Sequence, residues 1–65
     1  MYGIHYHHKG QAYILPGLPM DRDEAENLAD DLTSAWRDAG ARGMLVLRFG
    51  IPDSPTIRFT VARRV

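Results

Sequence analysis

The sequence predicts an α+β fold: one small β-β-α-β-β domain over residues 1–65, with a mainly antiparallel four-stranded sheet and one helix packed on one face. Three patterns predict this fold. Residues 21–39 repeat apolar side chains at helical spacing, residues 56–64 alternate apolar and polar side chains, and Lys9-Gly10 separates two stretches rich in aromatic and β-branched residues. The predicted elements are β 2–8, β 11–15, α 21–39, β 44–51 and β 56–64.

The first two strands are predicted to form a hairpin, and two registers fit the residues. A two-residue turn at Lys9-Gly10 gathers apolar side chains on one face, namely those of Ile4, Tyr6, Tyr13 and Leu15. A three-residue turn with Gly10 in the left-handed conformation pairs the faces differently. We favour the first register because it places the apolar residues together.

The predicted helix has clear end signals and a one-sided charge. Asp21 is the expected N-cap, because its carboxylate can accept a hydrogen bond from the amide of Glu24. Gly40 is the expected left-handed stop at the other end. From Asp21 to Asp38 there are seven carboxylates and two arginines, whereas the rest of the chain has six cationic side chains and one carboxylate. The formal net charge of zero therefore combines an acidic helix with a basic remainder.

The last two strands determine which surface is left over. Alternation turns Leu45, Leu47 and Phe49 toward the helix, together with Ile57, Phe59 and Val61. One helix covers only one face of a four-stranded sheet, so the opposite face should stay uncovered. That face is the predicted interface or partner surface, and its residues are Met44, Val46, Arg48, Arg58, Thr60, Ala62, His5 and His7.

Several kinds of catalytic and metal chemistry find no support in the sequence. The chain has no cysteine, which excludes disulfides, a zinc-thiolate site and a thiol nucleophile. His5 and His7 share a strand face at a spacing that can bind a metal, but no third ligand is expected nearby. Ser34 and Ser54 lack the strand-turn-helix setting of a hydrolase nucleophile. We expect no catalytic, metal or cofactor site within one subunit; a cleft between subunits remains open as an alternative.

Small size favours an interaction protein. A domain of this length buries only about 60% of its unfolded surface, so sharing surface with a second copy is one way to strengthen it. We therefore predict a non-catalytic interaction or regulatory protein that forms a homodimer through its uncovered sheet face or a strand edge. A further protein partner is left open.

A nucleic-acid-binding module is the alternative. Arg48, Arg58, Arg63 and Arg64 could form a basic sheet surface that contacts phosphate, although the neutral net charge speaks against it. No apolar run approaches the roughly 18 residues of a membrane span. The first residues lack the basic and apolar regions of a signal peptide, so we expect no membrane association and a cytoplasmic location.

Overall fold

The computed structural model describes residues 1–17 and 19–64. Its elements run in the order β1 (Tyr2–His8), β2 (Gln11–Ile14), α1 (Arg22–Trp36), α2 (Ala39–Phe49) and β3 (Arg58–Arg63). The strands form one antiparallel sheet in the order β2-β1-β3, so β1 is central and the other two are edge strands. The fold is α+β, but the predicted four-stranded sheet with one helix is wrong, since there are three strands and two helices among the described residues.

The β1–β2 hairpin closes through a two-residue turn. His8 pairs with Gln11, and the turn residues Lys9 and Gly10 both have positive φ angles, 51° and 76°. This left-handed pair matches the twist of the flanking strands. The observed register is the one favoured from the sequence, and it buries Ile4 and Leu15 in the core.

Helix α1 begins where the capping signal predicts and ends earlier than expected. The Asp21 carboxylate accepts a hydrogen bond from the Glu24 amide at 2.9 Å, which confirms the predicted N-cap. The helix stops at Trp36, so its predicted extension to residue 39 and the stop at Gly40 are wrong. The reason is Asp38, which is extended and accepts a hydrogen bond from the Ala41 amide at 2.8 Å, starting a second helix.

Helix α2 occupies residues that were predicted to form the strand 44–51. Gly50, in the left-handed conformation with φ 69°, ends it by donating its amide to the Val46 carbonyl at 2.9 Å. Apolar residues at Leu45, Val46 and Phe49 fit a helical stripe as well as they fit a strand. The two caps set the ends of the helix, and packing of its apolar side against the core stabilises it.

The buried core lies on the sheet face that carries Ile4 and Phe59. Helix α1 packs on β1 and β3, and α2 packs along the side of α1. Trp36 joins the layers: its indole Nε1 donates to the Ser54 carbonyl at 2.7 Å, and its ring meets Phe59 edge-on with centroids 5.3 Å apart. The buried core consists of Ile4, Leu15, Ala25, Ala29, Leu32, Trp36, Ile51, Ile57 and Phe59.

Candidate functional site

Helix α2 is rich in apolar residues, yet none of its residues is buried. Met44 is 74% exposed and Leu47 is 87% exposed, and their spacing of three places them side by side on the helix. We call this pair the α2 ridge. On the other side, Leu45, Val46 and Phe49 pack partly against the core. A helix that is apolar around most of its circumference is normally buried, so the ridge is a candidate contact surface.

An apolar groove of about 450 Å³ lies beside the α2 ridge. Leu28 and Leu32 form its α1 wall, and Leu45 and Phe49 form its α2 wall. Met44 and Leu47 do not line the groove, but Arg48, one helical turn after Met44, does. In a two-fold dimer the same ridge and groove of each copy would take part, as an isologous contact requires.

The apolar groove has rims of opposite charge. Glu24 precedes Leu28 by four residues and Asp31 follows it by three, so both carboxylates flank the α1 wall. On the α2 side Arg48 borders the groove, with its guanidinium 5.5 Å from the centre of the Phe49 ring, within the range of cation–π attraction. Helix α2 contains no carboxylate. The same two-fold pairing can bring acidic rims toward basic rims.

The structure divides the eight sequence-predicted interface residues between two surfaces. Five lie on the sheet face turned away from the helices, which we call the open sheet face: His5, His7, Arg58, Thr60 and Ala62. The other three, Met44, Val46 and Arg48, lie on α2. The two groups are separate because residues 44–51 do not form a fourth strand beside β3.

The open sheet face mixes polar and apolar side chains and is free of acids: Ile14, which is 66% exposed, pairs with His5 on this face. His7 Nε2 lies 2.7 Å from the Thr60 hydroxyl oxygen, and His5 is paired across the strands with Ile14 on one side and Thr60 on the other. The three strands contain no Asp or Glu. The formal charge that their side chains bring to this face is therefore positive, from Arg58.

The described residues offer few groups for metal binding or nucleophilic catalysis. Within residues 1–17 and 19–64, no group of three or more His, Cys, Asp or Glu side chains is placed to hold a metal ion. The Ser54 hydroxyl shares a 2.9 Å hydrogen bond with Thr56. Among the hydrogen bonds of the described residues, neither Ser34 nor Ser54 contacts a histidine. Neither α1 nor α2 has the length and hydrophobicity that crossing a bilayer requires.

The acids at the start of α1 perturb each other. The hydrogen bond from the Glu24 amide to the Asp21 carboxylate lowers the pKa of Asp21. A side-chain hydrogen bond between the two carboxyl groups, together with the negative charge of Asp21, raises the pKa of Glu24. Two shifts of opposite sign therefore originate at one helix cap.

We expect Asp21→Asn to flatten the pH dependence of stability in acid. The pKa of folded Asp21 lies below its ordinary 3.8, so its stabilisation is present above pH 3.8 and is lost as the pH falls through the folded value. The pKa of Glu24 lies above its ordinary 4.5, so its contribution is present below pH 4.5 and is lost as the pH rises through the folded value. Asparagine caps a helix as well as aspartate does, yet it removes the cause of both shifts. Urea unfolding midpoints at a series of acidic pH values provide the measurement, and a variant midpoint that tracks the wild type throughout contradicts the expectation.

Leu47 is the surface residue that sequence reasoning missed. Strand alternation assigns it to the core with Leu45 and Phe49, whereas the helix turns it outward. The signal that identifies the helix is the pair Asp38 and Gly50, an N-cap and a left-handed stop on either side of eleven residues.

The chain matches no family model, no curated protein and no solved structure in comparisons with each.

Proposed function

We propose that the protein is a small non-catalytic interaction protein of the cytoplasm that acts as a homodimer through the α2 ridge and the apolar groove. The observation that carries the proposal is the exposure of Met44 and Leu47 on a helix with no buried residue. Large apolar side chains grouped at an open groove are typical of a contact surface. This exposure favours a dimer through α2 over one through the open sheet face.

A second copy suits this surface better than an unrelated partner because the surface is self-complementary. It offers both an apolar ridge and an apolar groove, and both an acidic rim at Glu24 and Asp31 and a basic rim at Arg48. Opposite charges across an interface fix orientation and exclude wrong partners more than they add affinity. The rims therefore select the two-fold arrangement, and the ridges supply the attraction.

The expected affinity is moderate. Fully burying a Met or Leu side chain contributes about 1.5–3 kcal/mol, and a two-fold dimer buries two ridges of two side chains each. Lost translational and rotational freedom opposes association by roughly 4–15 kcal/mol, so the ridges alone give little surplus. The groove walls and rims have to contribute the remaining free energy of association, and the dimer should dissociate on dilution.

The test is the native mass, measured by light scattering over a concentration series at low and moderate salt. We expect a dimer at high protein concentration that dissociates on dilution. Salt should weaken this dimer because it screens the exposed rim charges. A monomeric mass at the highest concentration and the lowest salt contradicts the proposal.

The open sheet face supports a second candidate function, nucleic-acid binding. The observation in its favour is that this face carries Arg58, His5 and His7 and that the strands contain no carboxylate, while the acids are concentrated on α1 and the loops. Under this candidate, Arg58→Ala should weaken binding for all sequences and lower the salt slope by about one. Fluorescence anisotropy with labelled single strands and duplexes measures both effects. Arg22→Ala, at the far end of α1, is the control.

A further inference from the structure

A second groove, of about 410 Å³, lies between the end of α1, the start of α2 and the segment that enters β3. It shares no lining residue with the apolar groove or the α2 ridge. Three arginines border it, Arg37, Arg42 and Arg58, together with the threonines Thr33 and Thr56. No Asp or Glu lines it among the described residues. We call it the arginine groove.

Arg42 is held in a fixed position at the arginine groove. Its Nε donates to the Asp53 carboxylate at 3.0 Å, and its Nη1 donates to the Trp36 carbonyl at 3.1 Å. Its side chain is only 21% exposed. The guanidinium is therefore already ordered, so a ligand that contacts it does not have to order a flexible side chain first. Its charge is balanced by Asp53.

The charges of Arg37 and Arg58 are not balanced by an ion pair among the described residues. Both are exposed, and the ion pairs within residues 1–17 and 19–64 are Arg22 with Glu26 and Arg42 with Asp53. Arg58 belongs to the open sheet face by strand alternation, and because β3 is an edge strand it also borders this groove. The arginine groove therefore has two uncompensated positive charges around one already positioned guanidinium.

We propose that the arginine groove binds a phosphate group. A phosphate monoester carries close to two negative charges at neutral pH, which matches the two uncompensated guanidinium groups, and each backbone phosphodiester carries one. The oxygens of either suit the paired N–H donors of arginine. The Thr56 hydroxyl, hydrogen-bonded to Ser54, adds a polar group at the same groove. The phosphate belongs either to a small phosphorylated compound or to a polynucleotide backbone. The site goes beyond the proposed dimer and does not depend on it.

The test is a ¹H–¹⁵N NMR titration of the full chain at low salt, first with inorganic phosphate and then with a short single-stranded oligonucleotide. Saturable shifts are expected at the arginine Nε–H signals of Arg37 and Arg42 and at the Trp36 indole N–H. Arg37→Gln should weaken binding by about tenfold, because it removes a charge-assisted hydrogen bond. Arg37→Lys should recover part of the loss, and Arg22→Gln, remote from the groove, should leave binding unchanged.

The two titrations distinguish the sources of the phosphate. If the oligonucleotide shifts the same signals and inorganic phosphate competes with it, the groove binds a polynucleotide backbone. If inorganic phosphate saturates the groove and the oligonucleotide leaves it unshifted, the ligand is a small phosphorylated compound. Shifts that do not saturate with either probe, or that are equal in wild type and Arg37→Gln, overturn the proposal. None of these results depends on whether the protein is a dimer, so the two proposals fail separately.

Discussion

Trp36→Ala is expected to lower the free energy of unfolding by about 3–5 kcal/mol, the range for truncating a buried aromatic side chain. Trp36 is 3% exposed, and its ring contacts Phe59 edge-on. A domain of 65 residues has roughly 3–10 kcal/mol of stability in total. The variant should therefore be largely unfolded or close to it at room temperature. Urea unfolding followed by far-UV circular dichroism measures the loss.

A second substitution at the same residue, Trp36→Phe, separates the contribution of packing from that of the hydrogen bond. Trp36→Phe keeps an aromatic ring but removes the indole donor at 2.7 Å, so the Ser54 carbonyl keeps only its hydrogen bond from the Ile57 amide at 3.3 Å. Losing one hydrogen bond of this kind costs about 0.5–1.5 kcal/mol. We expect this variant to fold with a lower unfolding midpoint. Ser34→Ala, at an exposed position of α1 that lines neither groove, is the control and should stay within about 0.5 kcal/mol of the wild type. A Trp36→Ala variant with a wild-type midpoint would contradict the assignment of Trp36 as the residue that joins the layers.

Leu47→Glu is expected to convert the dimer into a monomer and to leave the fold intact. Each dimer loses two buried leucines, at about 1.5–3 kcal/mol each, and gains two charges at an apolar contact. A loss of about 3 kcal/mol corresponds to a dissociation constant roughly 100-fold higher. The side chain is 87% exposed within one subunit, so the thermal unfolding of the isolated subunit should change little. Light scattering and circular dichroism on the same samples measure both quantities.

Gln11→Glu is the matched control for the charge. It makes the same neutral-to-acidic change at an exposed position on β2 that lines neither groove, and its carboxylate can still accept the Tyr13 hydroxyl hydrogen bond. It should keep the wild-type mass. Val46 is a poorer site for this test because it packs against the core, so a charge there would disturb folding as well as association. If Leu47→Glu retains the wild-type mass at every concentration, the dimer does not form through α2.

The sequence by itself determined the hairpin and the start of the acidic helix. Both are local features: Lys9-Gly10 favours a two-residue turn, and the burial of Ile4 and Leu15 fixes the register. The Asp21 cap and the apolar stripe from Ala25 to Trp36 lie within one helix. Signals of this kind need no distant partner, so they can be interpreted without the tertiary structure.

Only the tertiary structure decided residues 44–51 and the surface that they create. The run Met44 to Phe49 is short and almost wholly apolar, and such a run fits a buried strand or a helix equally well. A helix of eleven residues is marginal in isolation and depends on packing for its stability, which α1 and the buried core supply through contacts with Leu45, Val46 and Phe49. Because this segment is a helix, the eight predicted interface residues divide between the open sheet face and α2. For the same reason Leu47 leaves the core. A strand would have placed it on the same face as Leu45 and Phe49, whereas a helix rotates each successive residue by about 100° and so turns Leu47 to the side opposite both.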